Sequence, residues 1–230
     1  MQAADVMTNA VVSVGPDDLL QDVAKTLLKH RISGVPVVNG DGKLAGIVTE
    51  GDLMRRVETG TEVHRSWWLR ALAQRETLAF DYVRAHATKV ADVMTTKVVT
   101  ARPDTPLGDI ASMLERRRIK RVPIVENGKV IGIVSRANLL QAFASTVSVP
   151  TTINSSDDKE IRERVLARLR AESWSSPSEM NIIVLKGVAE LWGAVASEAE
   201  HKAIRITAET TPGVVSVRDN LTVGQMPAGV

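Results

Sequence analysis

The chain repeats itself, and the repeat limits the fold more than any other feature. Ala4-Asp5-Val6-Met7-Thr8 returns as Ala91-Asp92-Val93-Met94-Thr95, and Val35-Pro36-Val37-Val38 returns as Val122-Pro123-Ile124-Val125. Gly46-Ile47-Val48-Thr49-Glu50-Gly51-Asp52-Leu53-Met54 becomes Gly132-Ile133-Val134-Ser135-Arg136-Ala137-Asn138-Leu139-Leu140. Val11-Val12-Ser13, Pro16-Asp17, Arg31-Ile32 and Gly42-Lys43 also return in order, with one residue lost in the second turn. Identity this dense makes two copies of one structural unit, and a repeat is read before single elements.

Each copy is legible locally. Val11 to Val14 is β-branched and reads as extended. Pro16-Asp17 is turn chemistry before an amphipathic helix with Leu20, Val23, Ala24, Leu27 and Leu28 on one face. Val35 to Val38 is a strand whose proline sits near its start, where the missing N–H is tolerated. Asn39-Gly40-Asp41-Gly42 and Asn127-Gly128 are hairpin turns. Leu44 to Val48 is the return strand, and a second helix begins at Asp52. The order is strand, helix, strand, strand, helix.

These residues resemble the CBS domain, named after cystathionine β-synthase, over residues 5–57 and 90–143. Two copies in one chain look like a CBS pair, or Bateman module, which in that family binds adenosine nucleotides and regulates something else. The resemblance implies a phosphate contact for the Thr49 hydroxyl and a ribose contact for the Asp52 carboxylate. A carboxylate suits a vicinal diol, because charge-assisted hydrogen bonds are about twice as strong as neutral ones. The same two side chains also read as a helix cap, and the two roles are compatible. In the family, the Thr/Asp end of one copy meets the pre-proline strand of the other. One complete cleft is therefore expected from Thr49, Asp52, Lys120 and Arg121, with Ile47, Val98, Val99, Ile119 and Pro123 as apolar walls. A weaker second cleft is expected from Ser135, Asn138, Ile133, Val11, Val12, Ile32, Ser33, Gly34 and Pro36. Arg116 and Arg117 read as a solvated helix end.

Residues 55–89 separate the copies and hold Trp67-Trp68-Leu69, Leu72, Leu78, Phe80, Tyr82 and Val83. They read as two helices that pack on the repeats or on a partner subunit, with adenine stacking as the sharper alternative. The insert resembles the connector of bacterial CBS-pair proteins that carry a further domain. Residues 149–156 read as a polar linker. Beyond them come a helix with Ile161, Val165, Leu166 and Leu169, a strand at Met180 to Leu185, and a strand from Val188 broken at Gly193. A helix to Thr210 and a strand from Val214 to Val223 follow. With Gly187, Gly193 and Pro212-Gly213-Val214-Val215-Ser216-Val217, residues 157–223 resemble the BON domain, a small αββαβ module associated with phospholipid or envelope binding. Arg162, Arg164, Arg168 and Arg170, mixed with glutamates, read as a solvated face rather than a lipid surface.

The expected fold class is therefore α/β (α+β). It comprises CBS domains at 1–57 and 90–146, a helical insert at 58–89, a linker at 147–156 and a BON domain at 157–226. The 230 residues are 44% apolar, with a net charge of +2, no cysteine and four histidines. That composition gives ample core and excludes disulfides and thiol chemistry. No metal site, catalytic constellation or catalytic cofactor is expected, nor nucleic-acid binding, although the basic run near Arg117 offers that as a minor reading. No secretory signal and no apolar run of about 20 residues is seen. The expected protein is a non-catalytic cytoplasmic sensor of an adenine nucleotide such as AMP, ADP or ATP. The alternative is an adaptor with empty clefts whose BON domain docks on a protein or phospholipid. A homodimer and a separable C-terminal domain are expected.

Overall fold

The computed structural model describes residues 1–54, 59–61, 79, 82–83, 85–147, 155–175 and 180–224. In chain order the elements are α1 (Ala3–Val6), α2 (Leu20–Lys29), β1 (Gly34–Val38), β2 (Leu44–Thr49), α3 (Glu50–Leu53) and α4 (Val90–Val93). Then come α5 (Leu107–Arg116), β3 (Arg121–Glu126), β4 (Lys129–Ser135) and α6 (Arg136–Val147). The chain ends with α7 (Ser155–Arg170), β5 (Met180–Leu185), β6 (Val188–Val195), α8 (Glu198–Glu209) and β7 (Ser216–Val223). Trp67, Trp68, Leu69, Leu72, Leu78, Phe80 and most of the linker lie outside the described residues; Tyr82 and Val83 are helical and exposed.

Two compact units result, and they do not follow the linear repeat. One is Val12–Val98 with Asn127–Val130; the other is Met1–Val11, Val99–Glu126 and Ile131–Val230. The two copies have exchanged their opening Asp-Val-Met-Thr segments. In the first unit β1 pairs antiparallel with β2, Val14 bridges Val37 in parallel, and Ile47 is closed by Thr95. The bonds are mutual: Ile47 N donates to Thr95 O at 3.0 Å and Thr95 N to Ile47 O at 2.9 Å. In the second unit Ala101 bridges Ile124, β3 lies beside β4, and Ile133 is closed by Thr8 through bonds of 2.9 and 3.0 Å. The exchanged segments give partners to backbone groups on strands that would otherwise end as open edges. The extended stretch at Val11–Val14 shrinks to a single bridge at Val14.

The core of the first unit gathers Leu20, Val23 and Leu27 of α2, Val35, Val37 and Val48 of the hairpin, and Val90 and Val93 of α4. Leu28 is 80% exposed, against expectation. At 100° per residue it lies beyond the edge of the stripe that Leu20, Val23 and Leu27 define. Both first helices close in the same way. Ile32 N reaches Leu27 O and Ile119 N reaches Leu114 O, each at 3.0 Å, with Arg31 (φ 50°) and Arg118 (φ 54°) in the left-handed position usually given to glycine.

The C-terminal domain is a three-stranded sheet in the order β5-β6-β7, antiparallel then parallel. β6 runs unbroken through Gly193, which takes φ 141° inside the strand instead of ending it. Every residue of β5 is buried, and alternation sends them to two cores. Ile182 and Val184 pack with Ile161, Val165, Leu169, Ile204 and Ala208 from α7 and α8. Ile183 and Leu185 pack on the opposite side with Ala3, Val6, Met7 and Ala142. Polar pairs extend that second contact: Asn181 Nδ2 donates to Gln141 Oε1 (2.8 Å), and Ser145 Oγ donates to Glu190 Oε2 (2.8 Å). A sheet with two apolar faces needs a cover on each, and both faces of β5 are covered.

Arg162 is a second correction. It is 3% exposed rather than part of a solvated face. Its Nε donates to Ile182 O (2.6 Å) and its Nη2 to Met7 O (2.7 Å). Burial pushes its guanidinium down to about 10, so it still carries its charge at neutral pH.

Candidate functional site: the two strand-to-helix junctions

The residues singled out by sequence divide between the units. Val12, Ile32, Ser33, Gly34, Pro36, Ile47, Thr49, Asp52 and Val98 belong to the first. Val11, Val99, Ile119, Lys120, Arg121, Pro123, Ile133, Ser135 and Asn138 belong to the second.

In the first unit, β2 delivers Thr49 to the N-cap of α3, which opens at Glu50, two residues before the expected start. Asp52 Oδ2 accepts both the Thr49 N–H and the Thr49 O–H, each at 2.9 Å. The Asp52 backbone returns a bond to the Thr49 hydroxyl, so the reciprocal cap is complete. Asp52 is buried at 7% exposure. Gly34 is the register partner of Thr49, and Glu50 N donates to Ser33 O (3.1 Å), which brings the pre-proline residues against the junction. A Cβ on Gly34 would meet the Thr49 methyl and Val48 O, each at 3.0 Å. Pro36 pairs with Ile47, while Ile32 and Val12 pack on the core.

The second unit repeats the geometry with different chemistry. Ser135 N and Ser135 Oγ both donate to Asn138 Oδ1, at 2.8 and 2.6 Å. Asn138 Nδ2 donates to Val6 O (3.1 Å) and Thr8 Oγ1 (3.3 Å). Two acceptor positions and two amide hydrogens are all an asparagine side chain has, and Asn138, 4% exposed, spends them all inside the fold. Lys120 O accepts Arg136 N (3.2 Å), and Arg136 Nη2 donates to Ile119 O (3.3 Å). Lys120 and Arg121 therefore belong locally to the Ser135 junction, while Ser33 and Gly34 belong to the Thr49 junction.

Charge sorts accordingly. The first junction holds Glu50 and Asp52, and the second holds Lys120, Arg121 and Arg136. Sequence reasoning missed Arg136, although the repeat alignment sets it directly against Glu50. It also missed the roles of Met7-Thr8 and Met94-Thr95, whose contacts are made with the other copy. Among the described residues, no cluster of three or more histidines and carboxylates could hold a metal ion. No described helix is long and apolar enough to cross a membrane.

Comparison with known proteins agrees with this architecture. The CBS domain family matches residues 3–59 and 90–145, and the BON domain family matches 157–225. An uncharacterized protein of Methanocaldococcus jannaschii is 37% identical over 154 residues, which span 62% of this chain and 91% of that protein. The CBS domain-containing protein YhcV of Bacillus subtilis is 30% identical across 59% of this chain and 80% of its own. Among solved structures, CBSX2 in complex with AMP superposes with a TM-score of 0.55 at 26% identity, covering 64% of this chain and 98% of that one. The exchanged repeat, the paired strand-to-helix junctions and these matches place the chain in the CBS-domain family, as a CBS pair extended by a C-terminal BON domain.

Proposed function

We propose that this protein is a regulatory, non-catalytic sensor whose CBS pair binds an adenine nucleotide such as AMP, ADP or ATP. The observation that carries the reading is the buried Thr49–Asp52 pair, seen beside the likeness to a CBS protein crystallised with AMP. On binding, the Thr49 hydroxyl turns from Asp52 Oδ2 to a phosphate oxygen, and the carboxylate oxygen it leaves accepts a ribose hydroxyl. One hydrogen bond is then exchanged for two, and both acceptors are charged. Ile47, Val98, Val99, Ile119 and Pro123 are assigned to the base, and Lys120 and Arg121 to phosphate, Arg121 by its planar fork. Ser135 and Asn138 form the weaker end, because Asn138 would have to give up bonds to Val6 and Thr8.

A homodimer, a cytoplasmic address and a protein or phospholipid partner for the BON domain complete the proposal. A monomer mass by light scattering at micromolar concentration would remove the dimer. Calorimetric titration tests the ligand. Asp52→Asn keeps an acceptor for the Thr49 cap but loses the charge, so nucleotide affinity should fall about tenfold, equivalent to ~1.4 kcal/mol. A nucleotide at about 100 times its dissociation constant should add ~2.7 kcal/mol of stability. If none of AMP, ADP, ATP, NAD or S-adenosylmethionine shifts the melting temperature, the sensor reading fails and the adaptor reading replaces it.

A further inference from the structure

Three consecutive residues near the N-terminus are each held by a different element. Val6 O accepts from Asn138 Nδ2 at the start of α6. Met7 O accepts from Arg162 Nη2 on α7 of the C-terminal domain. Thr8 exchanges two backbone bonds with Ile133 on β4 and accepts from Asn138 through its hydroxyl. Arg162 reaches onward through Nε to Ile182 O on β5. The Met7 side chain is buried against Gly132, where a Cβ would stand 2.3 Å from Met7 Sδ. Ala3, Val6 and Met7 share one buried cluster with Ile183 and Leu185 of β5. A continuous hydrogen-bonded line thus runs from the Ser135–Asn138 junction through Val6-Met7-Thr8 to Arg162 and the C-terminal sheet.

We infer that the C-terminal domain reads the state of the Ser135–Asn138 junction through the Val6-Met7-Thr8 strap, with Arg162 as the positioning residue that joins them. Val6 and Met7 are buried, and a buried carbonyl loses its hydrogen bond when its donor leaves, because water does not replace it. A junction that releases Val6 O therefore shifts Met7 O, and with it the guanidinium that fixes Ile182. Arg162 suits the task because one rigid fork binds two carbonyls from separate elements; a lysine ammonium is a point charge that does not impose that geometry. The inference rests on the proposed function only for the nature of the ligand that acts on the junction.

The test is amide hydrogen exchange on the full chain without ligand, read on residues 182–185. Asn138→Ala should speed exchange there about tenfold, because local opening is read segment by segment. Asp52→Ala, the matching change in the other copy, should leave it unaltered. Arg162→Lys should also speed it, and adding Asn138→Ala to Arg162→Lys should bring no further increase, since the line is already cut. Should Asn138→Ala not fold, Thr8→Val removes a single hydroxyl and should give about a threefold change by the same measure. Unaltered exchange at 182–185 in the junction variant, or fully additive effects in the double variant, overturns the inference. AMP titrated into the unsubstituted protein reports separately. If it fails to shift the melting temperature, the nucleotide reading falls while the ligand-free comparison still decides the coupling.

Discussion

The two junctions have the same backbone and opposite chemistry. Thr49 and Ser135 both cap a helix, and both are bonded by the residue three positions on. At the first junction that residue is an aspartate, which only accepts. At the second it is an asparagine, whose amide hydrogens go to Val6 O and Thr8 Oγ1. Around the first stand Glu50, Ser33 and Gly34; around the second stand Arg136, Lys120 and Arg121. Where Thr49 carries a methyl group, the neighbouring strand position is Gly34; where Ser135 lacks it, the corresponding position holds Arg121. One copy keeps a charged acceptor at this position. The other spends its amide hydrogens on Val6 and Thr8. Repetition of a fold therefore does not repeat its hydrogen bonding, because one atom, a carboxylate oxygen replaced by an amide nitrogen, changes what the position can bond.

The comparison breaks most sharply if Asn138 is given the chemistry of the other copy. Asn138→Asp removes two donors and sets an anion against the Val6 carbonyl at a position 4% exposed. A loss of about 3 kcal/mol is expected at neutral pH by chemical denaturation. Acid should restore part of it, because a protonated carboxyl donates again. Asp52→Asn should cost well under half as much, since its cap is preserved. Equal losses would show that the two positions do the same work.

A smaller contrast lies in the glycines over which the exchanged methionines pass. A Cβ on Gly132 meets Met7 Sδ at 2.3 Å, and one on Gly46 meets Met94 Sδ at 2.8 Å and Thr95 O at 3.0 Å. Met7 is 7% exposed and its backbone is bonded by Arg162, whereas Met94 is only half-buried. Overpacking by one methyl should cost about 2 kcal/mol for Gly132→Ala and about 1 kcal/mol for Gly46→Ala. Thermal melts of the two variants rank them, and the reverse order would mean that the Met7 side chain finds room to leave.

The smallest effect concerns a contact inside the C-terminal domain. His201 Nε2 lies 2.8 Å from Asp219 Oδ2, joining α8 to β7. The hydrogen bond to Asp219 raises its pKa above the ordinary 6.5; burial opposes the rise, and the charge of Asp219 and then Glu198 add to it. Its stabilisation is thus fully present below pH 6.5 and is lost as pH rises through the raised folded value. The melting temperature should fall slightly over that interval in the parent protein, and His201→Gln should remove that part of the pH dependence.

Much of this was legible in the chain. The repeat, the hairpins, the caps at Thr49 and Ser135 and the αββαβ order of the last domain follow from side-chain period, turn residues and capping chemistry, all of which act within a few residues. The charge asymmetry was legible too, although Arg136 was overlooked beside Glu50. The burial of Arg162 and the docking of the last domain were not. Arg162 looks ordinary in its own helix, and its fate depends on what lies across from it, whereas the exposure of Leu28 follows from its angle to the stripe of Leu20, Val23 and Leu27 and was overlooked. Met180 to Leu185 was legible as a strand, but its burial on both faces came only with the fold.

Sequence by itself determined the elements, the twofold repetition and the residue types available at each junction. Tertiary structure alone decided that the opening segments trade places between copies, that Asn138 is a clasp, and that Arg162 ties the C-terminal sheet to Met7. The physical reason is reach. Propensity, turns and caps are settled by neighbours along the chain, whereas a buried donor is satisfied by whichever carbonyl the fold brings to it. Asn138 and Val6 are 132 positions apart, and Arg162 and Met7 are 155 apart.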